Sequence, residues 1–294
     1  MTEPEISRRA FLKWLSVGVA GVALTDCATA AGPGVHAVTG NYGPESALKL
    51  GVASYSLRNF PRAQAIDMTR SLGVRYINFK SVHLDYNATP AEMAAARAEL
   101  TAAGLQLVGG GMITFETDTD DGVRKYFDYA KSAGMPIIVC TCKPAMLPRI
   151  ESFARRYDIK IAIHNHGPED PYFPSPYDAL TAVKDMDPRM GLCIDFGHTV
   201  RAGTDVVQAV ADAGARLHDI HAKDLRDFKN VDSQCAVGEG RMPIAEIFAQ
   251  LRRNKYQGHV NLEYEIEPDN PLPGMRQSFA FMRGVVRGLG WSYS

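Results

Sequence analysis

The chain is short of cysteine and of net charge, and each shortage closes off a class of protein. Five cysteines scattered over 294 residues are no disulfide framework of the kind that staples small secreted domains. Three of the four beyond residue 30 lie in or near apolar strand-like runs, where cysteine packs as a small hydrophobe. Cys140-Thr141-Cys142 puts two sulfurs on one side of a strand, a weak basis for a thiolate metal site. Lysine and arginine number 32 against 33 acidic residues, so no basic excess is available to hold a nucleic-acid backbone. A glycine-rich phosphate loop is missing too. Ser54-Tyr55-Ser56-Leu57-Arg58 follows the first strand-like run, where a doubly wound nucleotide-binding sheet would place one.

Long apolar runs are also scarce. Residues 14–24 form a modest one, too short to span a bilayer. It follows Ser7-Arg8-Arg9-Ala10-Phe11-Leu12-Lys13 and precedes Ala28-Thr29-Ala30, a small-residue cleavage site. Charged start, short apolar stretch and Ala-x-Ala ending predict an export signal over residues 1–30, and its paired arginines resemble the bacterial twin-arginine type. Asp26 disfavours a lipid anchor at Cys27, so a soluble periplasmic protein without a transmembrane segment is expected. Residues 31–47, rich in glycine and alanine, read as a flexible lead-in. Removing residues 1–30 leaves 264, the size of one α/β barrel of roughly 250 residues.

From residue 48 to 294 two patterns alternate. Strand-like runs fall at 49–55, 76–79, 106–109, 136–140, 160–164, 190–195, 217–221 and 259–263. Between them lie helical stretches. Val123, Tyr126, Phe127 and Ala130 share one helix face, as do Ile244, Ile247, Phe248 and Leu251; Met275, Phe279, Met282, Val286 and Leu289 continue that spacing near the C-terminus. Gly73, Gly104 and Gly134 stand where helices should stop. Strands alternating with helices imply a parallel sheet, and eight such units predict a single (β/α)8 TIM barrel.

The later strands end in chemistry. Ile163-His164-Asn165-His166-Gly167, Ile194-Asp195-Phe196-Gly197-His198 and Asp219-Ile220-His221-Ala222-Lys223-Asp224 are followed by Asn261-Leu262-Glu263-Tyr264-Glu265. Residues two apart in a strand share a side, so His164, Asp195, His221 and Glu263 converge if those sides face inward. Imidazoles and carboxylates are costly to bury unpartnered, and one divalent ion would partner all four. The nitrogen–oxygen mixture suits Mn, Zn, Fe or Co better than Ca. Singly, each has a plainer reading. His164 and His166 could be hydrogen-bonded strand-end histidines, Asp195 a helix cap, Lys223-Asp224 an exposed ion pair, and Glu263 and Glu265 part of a half-exposed strand. A shared site requires no such run of coincidences in four successive strands.

These runs, with Gly238-Glu239-Gly240, resemble the xylose isomerase-like barrel superfamily in its sugar isomerase/epimerase branch. The resemblance implies one divalent metal ion bound by Glu, Asp, His and Glu at the ends of strands five to eight. Asp195, His221 and Glu263 match the last three, and His164 stands where the first glutamate is usual. It also implies proton abstraction beside the carbonyl of a ketose or keto-sugar, with the metal polarising that carbonyl. In two-base epimerases of this kind the first and last glutamates work on opposite faces. Here Glu263 remains, and His166, His198 or Lys223 must supply a second transfer. His166 is the expected second proton carrier; Lys223, His198 and Glu265 are expected to hold the sugar's oxygens. Single-base elimination, as in a lyase or dehydratase, and a non-catalytic periplasmic sugar-binding barrel are the alternatives. A DNA-repair endonuclease of the same superfamily is disfavoured by the charge balance. Nothing in the sequence reads out a hydroxyl configuration, and a homo-oligomer is neither indicated nor excluded.

Overall fold

The computed structural model describes residues 47–294. The expected signal at 1–30 and all of the lead-in except Ala47 lie outside them. Strands β1 (Lys49–Ala53), β2 (Tyr76–Phe79), β3 (Gln106–Phe115), β4 (Ile137–Cys142), β5 (Lys160–His164), β6 (Met190–Asp195), β7 (Leu217–Ala222) and β10 (His259–Leu262) close into one parallel barrel, with β10 beside β1. Helices α1 (Arg62–Ser71), α2 (Pro90–Ala102), α3 (Asp120–Ala133), α4 (Leu147–Tyr157), α5 (Pro176–Val183), α6 (Phe196–Arg201), α7 (Val206–Ala213), α8 (Ile244–Arg253) and α9 (Leu272–Gly288) connect them. A two-stranded antiparallel ribbon, β8 (Asp224–Leu225) with β9 (Gln234–Cys235), leaves the end of β7. Among the described residues no helix is long and apolar enough to cross a membrane.

The helix faces read from the sequence are the buried ones. Val123, Phe127 and Ala130 of α3 are fully covered, with Phe127 packed 5.7 Å from the Phe153 ring and 5.4 Å from that of Tyr157. Truncating a ring held this way typically costs about 3–5 kcal/mol. Ile244, Ile247, Phe248 and Leu251 are likewise buried on α8. Thr89 caps α2 reciprocally with Glu92, so that helix begins where its hydroxyl meets the Glu92 N–H.

Several strand ends depart from the sequence reading, and two of the differences bear on the barrel mouth. β3 runs on past the expected end at Gly109, through Gly110 and Gly111 to Phe115. The glycines are there for space: a Cβ on Gly110 would lie 2.2 Å from the Met135 sulfur. β1 stops early because Ser54 and Ser56 bind neighbouring strand ends. Ser54 Oγ accepts from the Lys80 N–H at 2.9 Å, and Ser56 Oγ accepts from the Tyr264 N–H at 2.8 Å.

His218 is buried near the opposite end of the barrel, its Nδ1–H donating to the Ile161 carbonyl at 2.9 Å. Burial pulls its imidazole down to about 4. Below the unfolded value of about 6.5 the unfolded chain takes up a proton that the folded chain refuses, so stability falls as pH drops from there towards 4. By pH 5 this one group should cost about 2 kcal/mol. Urea unfolding at pH 7.5 and pH 5 is expected to show a smaller acid loss for His218→Gln by that amount; equal losses would contradict it.

Candidate active site

Inside the barrel the side chains come in layers. Asp219 on β7 accepts from Asn261 on β10 at 2.8 Å and from Asn78 on β2 at 3.2 Å, bonds that cross the interior. Residues two further along these strands face the same way. Lys80, His221 and Glu263 therefore form the next layer towards the mouth, joined by His164 above Ala162 and Asp195 above Cys193. Burial pushes the Asp219 carboxyl up to about 6, against the pull of His221 and Lys80.

One donor atom each from His164, Asp195, His221 and Glu263 lies within 4.8 Å of all the others, and every one of these residues is buried. His164 Nε2 is 3.1 Å from His221 Nδ1 and 3.6 Å from Asp195 Oδ2, and His221 Nδ1 is 3.1 Å from Glu263 Oε2. These are the spacings donors take around a first-row divalent ion with bonds of about 2.1 Å. The donor set fits such an ion, and the sequence-expected ligands are brought together. Cys193 with His164 and His221 forms an overlapping group. Burial, Asp219 and Asp195 push its thiol well above the usual range, so the carboxylates complete the set better. The other nitrogens, His164 Nδ1 and His221 Nε2, have no hydrogen-bond partner among the described residues.

The backbone pins that hold these groups account for the motif residues around them. Asn165 Oδ1 accepts from the Asp195 N–H at 3.0 Å, and Thr199 Oγ1 donates to the Asp195 carbonyl at 2.6 Å. Asp195 Oδ1 caps α6 by accepting from the His198 N–H at 2.9 Å, leaving Oδ2 for the site. The helix cap uses one oxygen, and the other remains directed at the donor cluster. Gln234 donates to the Glu263 carbonyl at 2.7 Å and accepts from the Glu265 N–H at 3.0 Å, fixing the chain after β10.

Two ammonium groups face three carboxylates here. Lys223 Nζ lies 3.1 Å from Asp195 Oδ2, 3.1 Å from Glu263 Oε2 and 2.6 Å from Glu265 Oε1. Burial opposes its charge, but Asp195, Glu263 and Glu265 hold it well above the usual lysine range. Lys80 Nζ lies 2.8 Å from Glu263 Oε1. Burial favours a protonated Glu263, yet His221, Lys80 and Lys223 together hold it well below the usual carboxylate range. Asp195 is depressed likewise: burial is outweighed by Lys223, His198 and His164. Burial pulls His164 down to about 3 in spite of Asp195, so its ring is neutral at working pH.

Above the donors opens a cavity of about 620 Å³, lined in part by Lys80, His164, His166, His198, Glu263 and Glu265. The His166 and His198 rings are 4.5 Å apart. Arg201 Nη1 lies 3.1 Å from His198 Nδ1, and a guanidinium only donates, so the neutral ring carries its proton on Nε2. Burial draws His198 down to about 4. His166 is exposed and its ring makes no hydrogen bond among the described residues.

One expectation is revised, and one plainer alternative is set aside. Lys223 does not line the cavity; its ammonium is saturated by three carboxylates, and Lys80 is the lysine that faces the opening. Lys223-Asp224 is no exposed ion pair. Asp224 is buried and accepts from the Leu225, Gly238, Gly240 and Met242 N–H groups at 2.9–3.1 Å. A Cβ on Gly240 would lie 2.1 Å from Asp224 Oδ1, which explains the Gly-Glu-Gly run. Lys80 was legible in the sequence. It follows the Tyr76–Phe79 strand as the other site residues end theirs.

A closed barrel of eight parallel strands with charged groups gathered at the C-terminal mouth is the (β/α)8 architecture that places active sites there. The chain belongs to the xylose isomerase-like TIM barrel family, whose model matches residues 63–285. It is 26% identical over 148 residues to the uncharacterized protein YfiH of Bacillus subtilis, covering 43% of this chain and 47% of that protein. It is 24% identical over 159 residues to the inosose dehydratase of Mesomycoplasma hyopneumoniae, covering 48% of this chain and 52% of that protein. The chain thus spans about half the length of the curated relatives it matches. The crystal structure of a D-psicose 3-epimerase superposes with a TM-score of 0.67 at 18% identity, over 81% of this chain and 99% of that one, a likeness of fold.

Proposed function

We propose that the protein is a divalent-metal-dependent isomerase or epimerase that removes a proton beside the carbonyl of a ketose or keto-sugar. The observation that carries this is the buried set His164, Asp195, His221 and Glu263 under an open cavity. When bound, a divalent ion supplies a Lewis acid at the substrate's carbonyl oxygen. Glu263, kept ionised by the Lys80 and Lys223 ammonium groups beside it, takes the proton from the neighbouring carbon. Lys80 meets the negative charge that develops as the proton leaves, and His198 donates its Nε2–H to a substrate oxygen. His166, whose ring makes no hydrogen bond among the described residues, returns a proton on the other side. Lys223 keeps Asp195, Glu263 and Glu265 together.

A specific feature also favours elimination. His164 stands where the resemblance places a first glutamate, leaving Glu263 as the single glutamate of the donor set; loss of a β-leaving group needs only one base. The inosose dehydratase similarity is in keeping with this. Incubating the metal-loaded protein with a panel of ketoses and keto-glycosides in D₂O, followed by NMR, decides. An epimer carrying deuterium supports the first reading and an unsaturated product the second. Sugar binding without any exchange would reduce the protein to a sugar-binding barrel. Export to the periplasm through Arg8-Arg9 is part of the proposal. Replacing both with lysine should leave the full-length chain in the cytoplasm, and normal export of that variant would refute it.

A further inference from the structure

The cavity is larger than one sugar needs. A hexose, with about a dozen heavy atoms, fills roughly 200 Å³ at protein packing density, against about 620 Å³ here. Its chemistry is also divided. The floor is polar, with Lys80, His164 and Glu263, whereas the rim carries Tyr55 from the turn after β1, Val82 from the loop after β2 and Val231 from the loop after β8. Six large apolar side chains stay exposed among the described residues, and these are three of them, at 38%, 50% and 54%. Apolar groups gathered at the mouth of a polar site mark a surface that a ligand covers. The Tyr55 ring is fixed in advance: the Arg58 guanidinium lies 4.8 Å from its centre and donates to the Glu265 carbonyl at 2.7 Å. That bond ties the rim to the strand end that carries Glu263.

We propose that the substrate is a glycoside, with a keto-sugar ring on the polar floor joined through its glycosidic oxygen to a second ring seated against Tyr55, Val82 and Val231. The inference rests on the reading of the floor given above. The C–H faces of a pyranose, or the face of an aromatic aglycone, would bury these side chains without burying hydroxyls unpaired. A glycosidic bond locks the anomeric carbon, so the carbonyl must sit elsewhere on the ring, where Glu263 can reach the carbon beside it.

Calorimetric titration of the metal-loaded full chain with methyl 3-keto-glucoside, phenyl 3-keto-glucoside and a 3-keto-disaccharide tests this. The methyl compound has the same locked ring and no second one. At least one two-ring compound should bind roughly tenfold tighter than it, from the apolar area covered at the rim. Preference for the phenyl compound alone identifies an aromatic aglycone, and preference for the disaccharide a second sugar. Tyr55→Ser combined with Val82→Ser should bring that ratio towards one, and Val231→Ser should lower it independently. Equal affinity for all three, or a ratio that survives the rim variants, overturns the inference alone. Binding of none overturns the reading of the floor, and this inference with it. A dimer that the rim variants dissociate without changing the ratio would assign the rim to a second copy and likewise overturn it.

Discussion

His221→Ala is expected to lower metal affinity by at least about 100-fold, measured as metal retained after dialysis, because it removes the donor nearest to two of the other three. Asp195 requires a more careful substitution. Alanine there also deletes the α6 cap, worth about 1 kcal/mol, and takes a carboxylate from Lys223. Asp195→Asn keeps an acceptor for the His198 N–H while removing the negative charge, so loss of metal from it reports on ligation. Both variants should retain the far-ultraviolet circular dichroism of the barrel, since the side chains packed between strands and helices are untouched. A double variant that still holds a full equivalent of metal would end the assignment of His164, Asp195, His221 and Glu263.

The second large effect is on chemistry. Glu263→Gln keeps the side-chain volume and the backbone pin from Gln234, but removes the base. Deuterium incorporation at the carbon beside the substrate carbonyl is expected to fall about 1,000-fold, within the usual range for loss of a general base. Metal content must be measured alongside, because Glu263 is also in the donor set. Lys80→Met separates the roles further: it should leave metal content near normal while lowering the exchange rate, since Lys80 meets Glu263 at Oε1 whereas Oε2 is the oxygen beside His221. Exchange at the wild-type rate in metal-replete Glu263→Gln would make Glu263 a structural carboxylate and remove the proposed mechanism.

Much of this was legible in the residue order. β2, β5 and β6 begin and end where the apolar runs do. The faces of α3, α8 and α9 were legible because a 3.6-residue period leaves few ways to bury Val123, Phe127, Ile244, Phe248, Met275 and Phe279. The pairing of Asp219 with His221 on β7 followed from strand alternation alone. Two features are not legible locally. The apolar run ends at Gly109, and only the position of Met135 shows that the strand continues where glycine is needed for room. Lys223 looks like a cation offered to substrate, and only the approach of Glu265 from the next strand end shows it occupied.

What the sequence determined, then, is the local and the periodic: eight β/α units, their buried faces, and a polar residue at each of four successive strand ends. Those follow from backbone geometry and hydrophobic spacing, which act over a few residues. The tertiary structure decided which polar groups share one centre and which neutralise one another. Lys80 and Glu263 are far apart in the chain yet form an ion pair at 2.8 Å, because barrel closure sets β1 between β2 and β10 and turns both side chains inward. The ionisation of Glu263 depends on that closure, since burial alone would protonate it and only neighbours contributed by other strands keep it charged.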